Sequence, residues 1–202
     1  MRNKTLIKKL FLTNNKQETL VENFIFELIK HNKHTNLVGK STLIDPWRSH
    51  ILDSCQISPF IKKNSSILDM GTGAGFPGLI LAMMGFKNVS LIDSNSKKIN
   101  FIREVSKKLD IKANIYLKRI ENLNNKKFDF LVSRALANLT KLLTYSHKFI
   151  SKDSVLIFLK GKAVNEEIKH AQKKWRFDYS LKKSQSDERG KILIIKNLKT
   201  LK

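Results

Sequence analysis

Cysteine, proline and acidic side chains are all scarce in this 202-residue sequence, which has one Cys, three Pro, and 17 Asp plus Glu against 39 Lys plus Arg. A lone Cys55 cannot close an intramolecular disulfide, and no Cys/His cluster with metal-ligand spacing accompanies it, so a disulfide scaffold and a metal site are not expected. With only eight glycines, the chain is neither collagen-like nor low-complexity. Its 41% hydrophobic residues suit one compact domain over residues 1–202. Long apolar runs are missing as well. The longest nearly uncharged stretch, Met70 to Phe86, is broken by Gly71, Gly73, Gly75, Pro77, Gly78 and Gly85 and falls short of a membrane span. The N-terminal segment is basic and holds no apolar signal-peptide core. A cytoplasmic monomer without membrane contact is the expectation.

The shortage of acid leaves a formal net charge of +22. No single tail carries it, because residues 1–63 contribute +6, 64–160 contribute +9 and 161–202 contribute +7. A field of this kind attracts polyanions and releases their counterions on contact. Codon drift in an AT-rich genome is the alternative, since 32 Lys stand against 7 Arg alongside 17 Asn and 21 Ile. Drift accounts for lysine over arginine. It does not account for the deficit of Asp and Glu, and nucleic acid is therefore the expected partner.

Residues 17–33 place Leu20, Val21, Phe24, Ile25, Leu28 and Ile29 on one helical stripe, and residues 46–57 predict a second helix with Pro46 in its first turn. Two helices thus form an N-terminal extension over 1–63. From residue 66 the period changes. Short apolar runs at 66–70, 88–93, 114–117, 128–132 and 154–160 alternate with helical patterns at 76–85, 95–110, 138–150 and 163–175, the mark of a parallel sheet with crossover helices. Runs at 177–183 and 191–198, joined by SQSDERG, predict a terminal antiparallel hairpin. The expected fold over 64–202 is α/β and Rossmann-like, with a mostly parallel seven-stranded sheet whose terminal hairpin is of the methyltransferase type rather than the simple dinucleotide-binding type.

The strongest local motif is ILDMGTGAGFPG at 67–78, between a strand and a helix. Its glycines let backbone approach a ligand, and the helix N-terminus would offer unpaired N–H groups to an anionic group. The spacing Gly71-x-Gly73-x-Gly75 departs from a dinucleotide site, which wants its third glycine where Phe76 stands. No Gly-Lys-Ser/Thr follows, which excludes a Walker loop. Asp69 adds an acceptor beside the loop. Asp93, 22 residues beyond Gly71, sits where a carboxylate accepts from both ribose hydroxyls, although it could instead cap the next helix, as could Ser94 or Asn95. Glu121 follows the third strand at the same sheet edge, a position that on its own reads as surface.

The stretches HNKHTNLVG (31–39), HILDS (50–54), ILDMGTGAGFPGLILA (67–82), LIDSNSKKINFI (91–102), VSRALANL (132–139) and LKG (159–161) together resemble the RsmG/GidB family. Its members are bacterial methyltransferases that use S-adenosylmethionine to methylate N7 of a guanine in 16S ribosomal RNA. The resemblance implies that cofactor, and 16S rRNA or the small ribosomal subunit as partner. It puts the methionine end of the cofactor at Gly71 and its neighbours, with Phe76 lining the pocket. Ile120 and Glu121 fall near adenine, and Arg134 borders both cofactor and substrate. His50 and Asp53 would face the same mouth and, with Arg134, orient the substrate. One departure is that Ser49 stands where the family has an arginine directly before the histidine, the arginine here being Arg48.

Methylation at N7 uses a free lone pair and releases no proton from that atom, so a general base is not required. Ser133-Arg134-Ala135-Leu136 after the fourth strand is not the Asp/Asn-Pro-Pro-aromatic sequence that holds an amine. Cys55 precedes the cofactor loop in a helical pattern, an ordinary buried position rather than that of a nucleophile. For Arg134 the plain structural alternative is an ion pair with Asp69 or Glu121. A methyltransferase acting on a protein or small molecule, or a non-catalytic RNA-binding protein, are the alternatives for the whole chain.

Overall fold

A computed structural model describes residues 2–12 and 14–201. Seven strands form one sheet in the order β3-β2-β1-β4-β5-β7-β6. The strands β1 (Ser66–Met70), β2 (Asn88–Asp93), β3 (Asn114–Leu117), β4 (Phe130–Arg134) and β5 (Val155–Lys160) are mutually parallel. β7 (Lys191–Thr200) runs antiparallel between β5 and β6 (Trp175–Lys183), completing the expected hairpin. β1 and β5 are buried almost end to end, as strands covered on both faces must be.

The helices are α1 (Arg2–Phe11), α2 (Asn15–Thr35), α3 (Asp53–Cys55), α4 (Gly78–Met83), α5 (Ser96–Lys108), α6 (Leu139–Ser146) and α7 (Val164–Ala171). On one face of the sheet, Phe24 and Leu28 of α2 join Ile80 of α4 and Ile99 and Ile102 of α5 in one apolar cluster. On the other, Leu139, Leu143, Val164, Ile168 and Trp175 form a second. Phe24 meets Phe76 edge-on at 5.7 Å, which ties the N-terminal extension to the glycine loop.

Three details depart from the sequence expectation. The basic N-terminal segment is helical as α1, with Ile7 fully buried and Lys4 and Lys8 paired with Glu22. Ten residues are too few for a stable helix in isolation, and it is tertiary packing that orders them. The helix at 46–57 is a π-helix over Trp47–Leu52 running into α3, a widened turn of the kind that clusters at functional sites. β4 starts and ends two residues later than its apolar run, so Arg134 is its final residue.

The connectivity locates the site. β1 pairs with β2 on one side and with β4 on the other, so successive crossovers leave β1 in opposite directions. In open α/β sheets the crevice at such a switch point, beyond the C-terminal ends of the strands, is where ligands bind. The turn after β1 is the glycine loop, and the turn after β4 begins with Ala135-Leu136, directly following Arg134.

Candidate active site

The glycine loop is fastened from below. The Gly71 and Thr72 N–H groups both donate to the Ile92 carbonyl, at 2.9 and 3.0 Å. Asp69 is fully buried under the loop, where its Oδ2 accepts from Thr72 Oγ1 at 2.6 Å and from the Gly78 N–H at 2.8 Å. Burial pushes its carboxyl up to about 6, against the pull of those two donors. Asp69 therefore sets the loop's shape and has no face toward the crevice, a different place from the one expected of a cofactor acceptor. The start of α4 also differs from expectation. Its Gly78 N–H is taken by Asp69 and its Leu79 N–H by the Gly75 carbonyl, so these amides do not await an anion.

Gly73 is the half-buried lip of the loop. Its φ of +59° lies in the left-handed region, and a Cβ there would meet nothing nearer than Lys98 Nζ at 4.0 Å. Its backbone faces open space that a side chain would occupy. Asp93, at the end of β2, accepts from the Gly73 N–H through Oδ2 at 2.9 Å and from the Asn95 N–H through Oδ1 at 2.8 Å. Asn95, not Asp93, caps α5, its side chain accepting from the Lys98 N–H. Asp93 is left facing a cavity of about 700 Å³ that Gly71, Gly73, Phe76, His50 and Arg134 also line. A smaller recess of about 90 Å³ continues past Gly71 and Asp93 to Ile120 and Glu121. Leu136 borders both spaces and packs over Gly71, where a Cβ would come within 2.5 Å of it.

The far wall is built around Arg134. Its Nη1 donates to the Ser49 carbonyl at 3.0 Å and to Asp53 Oδ2 at 3.1 Å, and its Nη2 lies 3.1 Å from His50 Nδ1. The guanidinium also lies over the Phe76 ring at 4.8 Å. His50 stacks on the same ring at 4.6 Å and 15°, with its Nε2 2.8 Å from Thr42 Oγ1. An arginine only donates, so Nδ1 accepts and Nε2 carries the proton. Desolvation, with help from the Arg134 charge, pushes His50 down to about 3. The imidazole is a neutral, oriented spacer and is not poised to take or give a proton at neutral pH. Asp53 is equally committed, since Oδ1 accepts from Ser186 Oγ at 2.6 Å and from Gln56 Nε2 at 3.0 Å.

Arg134, His50 and Asp53 thus meet in one cluster, and the partner of Arg134 is Asp53 rather than Asp69 or Glu121. Arg48 donates from Nε to the Ser186 carbonyl at 2.8 Å. Several members left no local trace in the sequence. Thr42 accepts from the His50 Nε2–H that Arg134 dictates, Gln56 and Ser186 brace Asp53 from 130 residues apart, and Lys160 holds the segment after β4 through the Ala137 carbonyl at 3.0 Å and Glu167 at 2.7 Å. Of these Lys160 lies inside LKG and Ser186 inside the SQSDERG turn, with nothing local to mark either as part of the site.

The profile of the GidB family, rRNA small subunit methyltransferase G, matches residues 17–195. The chain belongs to this family. It is 44% identical over 170 residues to ribosomal RNA small subunit methyltransferase G of Orientia tsutsugamushi (strain Ikeda), covering 84% of this chain and 85% of the relative. It is 37% identical over 172 residues to the protein of that name from Paramagnetospirillum magneticum, with 85% and 84% covered. Among solved structures, ribosomal protein L11 methylase from Lactobacillus delbrueckii superposes with a TM-score of 0.59 at 21% identity, covering 71% of this chain and 75% of that one. M. jannaschii TYW2 in complex with AdoMet does so at 0.56 and 16%, covering 81% and 78%. These likenesses bear on the fold, that of class I methyltransferases. The protein is an S-adenosylmethionine-dependent rRNA methyltransferase, and the bare Gly73 lip, the Asp93 carboxylate and the joined recess at Ile120 suit that cofactor.

Proposed function

We propose that the protein methylates N7 of guanine 527 in 16S rRNA, by in-line transfer without a general base. The cofactor, when bound, supplies an electrophilic methyl on a sulfonium. In this reading Gly71, Gly73 and Phe76 hold its methionine end, Asp93 its ribose, and Ile120 and Glu121 border its adenine. Arg134, held by Asp53, Ser49 and His50, orients the guanine, its remaining N–H capacity directed to O6 or a phosphate.

The observation that carries this reading is the commitment of the acid–base groups on the Arg134 side of the crevice and beneath its loop. His50 is held neutral, Asp53 is bound to Arg134, Ser186 and Gln56, and Asp69 is sealed beneath the loop. Such a site suits an acceptor that already bears a lone pair, where catalysis is alignment and exclusion of water. The test is incubation with tritiated S-adenosylmethionine and 16S rRNA or small subunits lacking the modification, followed by borohydride and aniline treatment, which cleaves at 7-methylguanosine. Label in the RNA with scission at that guanine is expected. Label in protein, in a small molecule, or in RNA without scission there would overturn the proposal.

A further inference from the structure

A second cleft of about 640 Å³ lies beside the cofactor crevice, and nothing in the reaction as described so far uses it. It is bounded by the segment from Ser41 to Asp45, by the turn between β6 and β7, and by Gly161. Thr42, Ser49 and Arg134 line both spaces, so Arg134 forms the partition between them. The volume lies in the range of about 300–1,000 Å³ usual for small-ligand sites. At Gly161 a Cβ would find nothing within 4 Å, so the floor is open.

The charges around this cleft are arranged at a cost to the fold. Lys191 at the start of β7 is the register partner of Lys160 on β5 and of Lys183 on β6. Like charges directly opposite across strands are destabilising. Glu167 compensates Lys160 at 2.7 Å, and Arg189 adds a further cation on the same turn, 3.5 Å from Asp187. A polyanion laid across this row would relieve the repulsion. The turn itself is held in place: Gln56, nearly fully buried, accepts from the Gln185 N–H at 2.7 Å and donates to Ser184 Oγ at 3.1 Å, while Ser186 reaches Asp53. At the opposite rim Ile44 is 88% exposed, the most exposed large apolar side chain among the described residues.

We infer that this cleft receives the target nucleotide of the RNA. The base lies against Arg134 with its edge toward the cofactor crevice, the flanking phosphates on Arg189 and Lys191, and Ile44 fills the gap the base leaves among its neighbours. The inference rests on the proposed RNA substrate and deepens it.

Its test uses the full chain and unmodified 16S rRNA. Arg189→Ala/Lys191→Ala is compared with Lys173→Ala/Lys174→Ala, which removes the same charge from exposed positions at the other end of β6, about 25–30 Å away by strand rise. The first pair is expected to lower kcat/KM at least tenfold and to flatten the dependence of log affinity on log salt by roughly 1.4–1.8, with S-adenosylmethionine binding unchanged. The second pair is expected to lose less than threefold. Ile44→Asp, which buries nothing, is expected to lower kcat/KM on folded RNA more than fivefold. Equal losses in the two charge pairs, or a wild-type rate for Ile44→Asp, would overturn the inference while leaving the RNA substrate standing. Failure of the wild-type protein to label 16S rRNA would overturn both.

Discussion

Replacing Arg134 by alanine separates the two halves of the site. The substitution removes hydrogen bonds of 3.0 Å to the Ser49 carbonyl and 3.1 Å to Asp53, a 3.1 Å contact with His50, and the stacking over Phe76 at 4.8 Å. Breaking a buried ion pair by removing one partner costs about 3–5 kcal/mol when the other charge is stranded. Here Asp53 keeps Ser186 and Gln56 on its other oxygen, so only half of its carboxylate is orphaned. A loss of about 2–3 kcal/mol follows, which for a chain of this length lowers Tm by roughly 4–12 °C. The fold survives this. Gly71, Gly73, Phe76 and Asp93, proposed to hold the methyl donor, stay in place, so its Kd measured by calorimetry should change less than threefold. Transfer to RNA should fall by about 10² or more, the usual consequence of losing a positioning contact at the reacting centre. Arg134→Lys should recover the stability and little of the rate, because one ammonium cannot serve Ser49, Asp53 and the Phe76 face together. The reasoning is refuted if Arg134→Ala retains half of the wild-type turnover, or if its lost activity is explained entirely by lost cofactor affinity.

Other perturbations test separate parts of the argument. Because His50 is held down to about 3, its protonation contributes no limb to the pH–rate profile between pH 5 and 9, and a histidine-like limb near 6.5 that His50→Gln abolishes would contradict the assignment. Asp69, raised from 3.8 to about 6, holds its proton more tightly in the folded than in the unfolded chain. Folding stability should therefore fall by up to about 3 kcal/mol as pH rises from 4 to 6 and then level off. Asp69→Asn keeps an acceptor for Thr72 and Gly78 and should erase that slope in denaturant titrations; an unchanged slope would assign it elsewhere. Gly73→Ala should cost the fold about 1–2 kcal/mol for a left-handed Cβ and weaken S-adenosylmethionine binding more than tenfold. An unaltered cofactor Kd would show that the Gly73 lip does not face the ligand.

The parallel strands and their crossover helices were legible because their apolar periods change abruptly at residue 66. The hairpin was legible because two apolar runs flank a polar turn. The boundary of β4 was missed since Ser133 and Arg134 are polar, yet both pair in register with Phe158 and Leu159 of β5, where neighbouring strands and not composition decide. That Gly71, Gly73, Phe76 and Asp93 line the crevice is legible locally, as each sits at a fixed distance from a strand end. Asp69 is legible as an acceptor beside the loop, but alternation along a strand buried on both faces does not say that it accepts from the loop itself rather than from a ligand. Gln56, Ser186 and Thr42 carry no such signal. Their value comes from contacts across up to 133 residues, and a serine reads alike in a solvated turn and beneath a carboxylate.

The grip on Arg134 has a consequence for how the enzyme comes into being. Three of its anchors, Ser49, His50 and Asp53, are made early in synthesis, whereas the guanidinium they await arrives some 80 residues later and becomes fixed only as the central strands zip together. The crevice is therefore walled on both sides only when distant parts of the polypeptide have met, since the glycine turn and its Ile92 anchor lie far ahead of Arg134 and Leu136 in the chain.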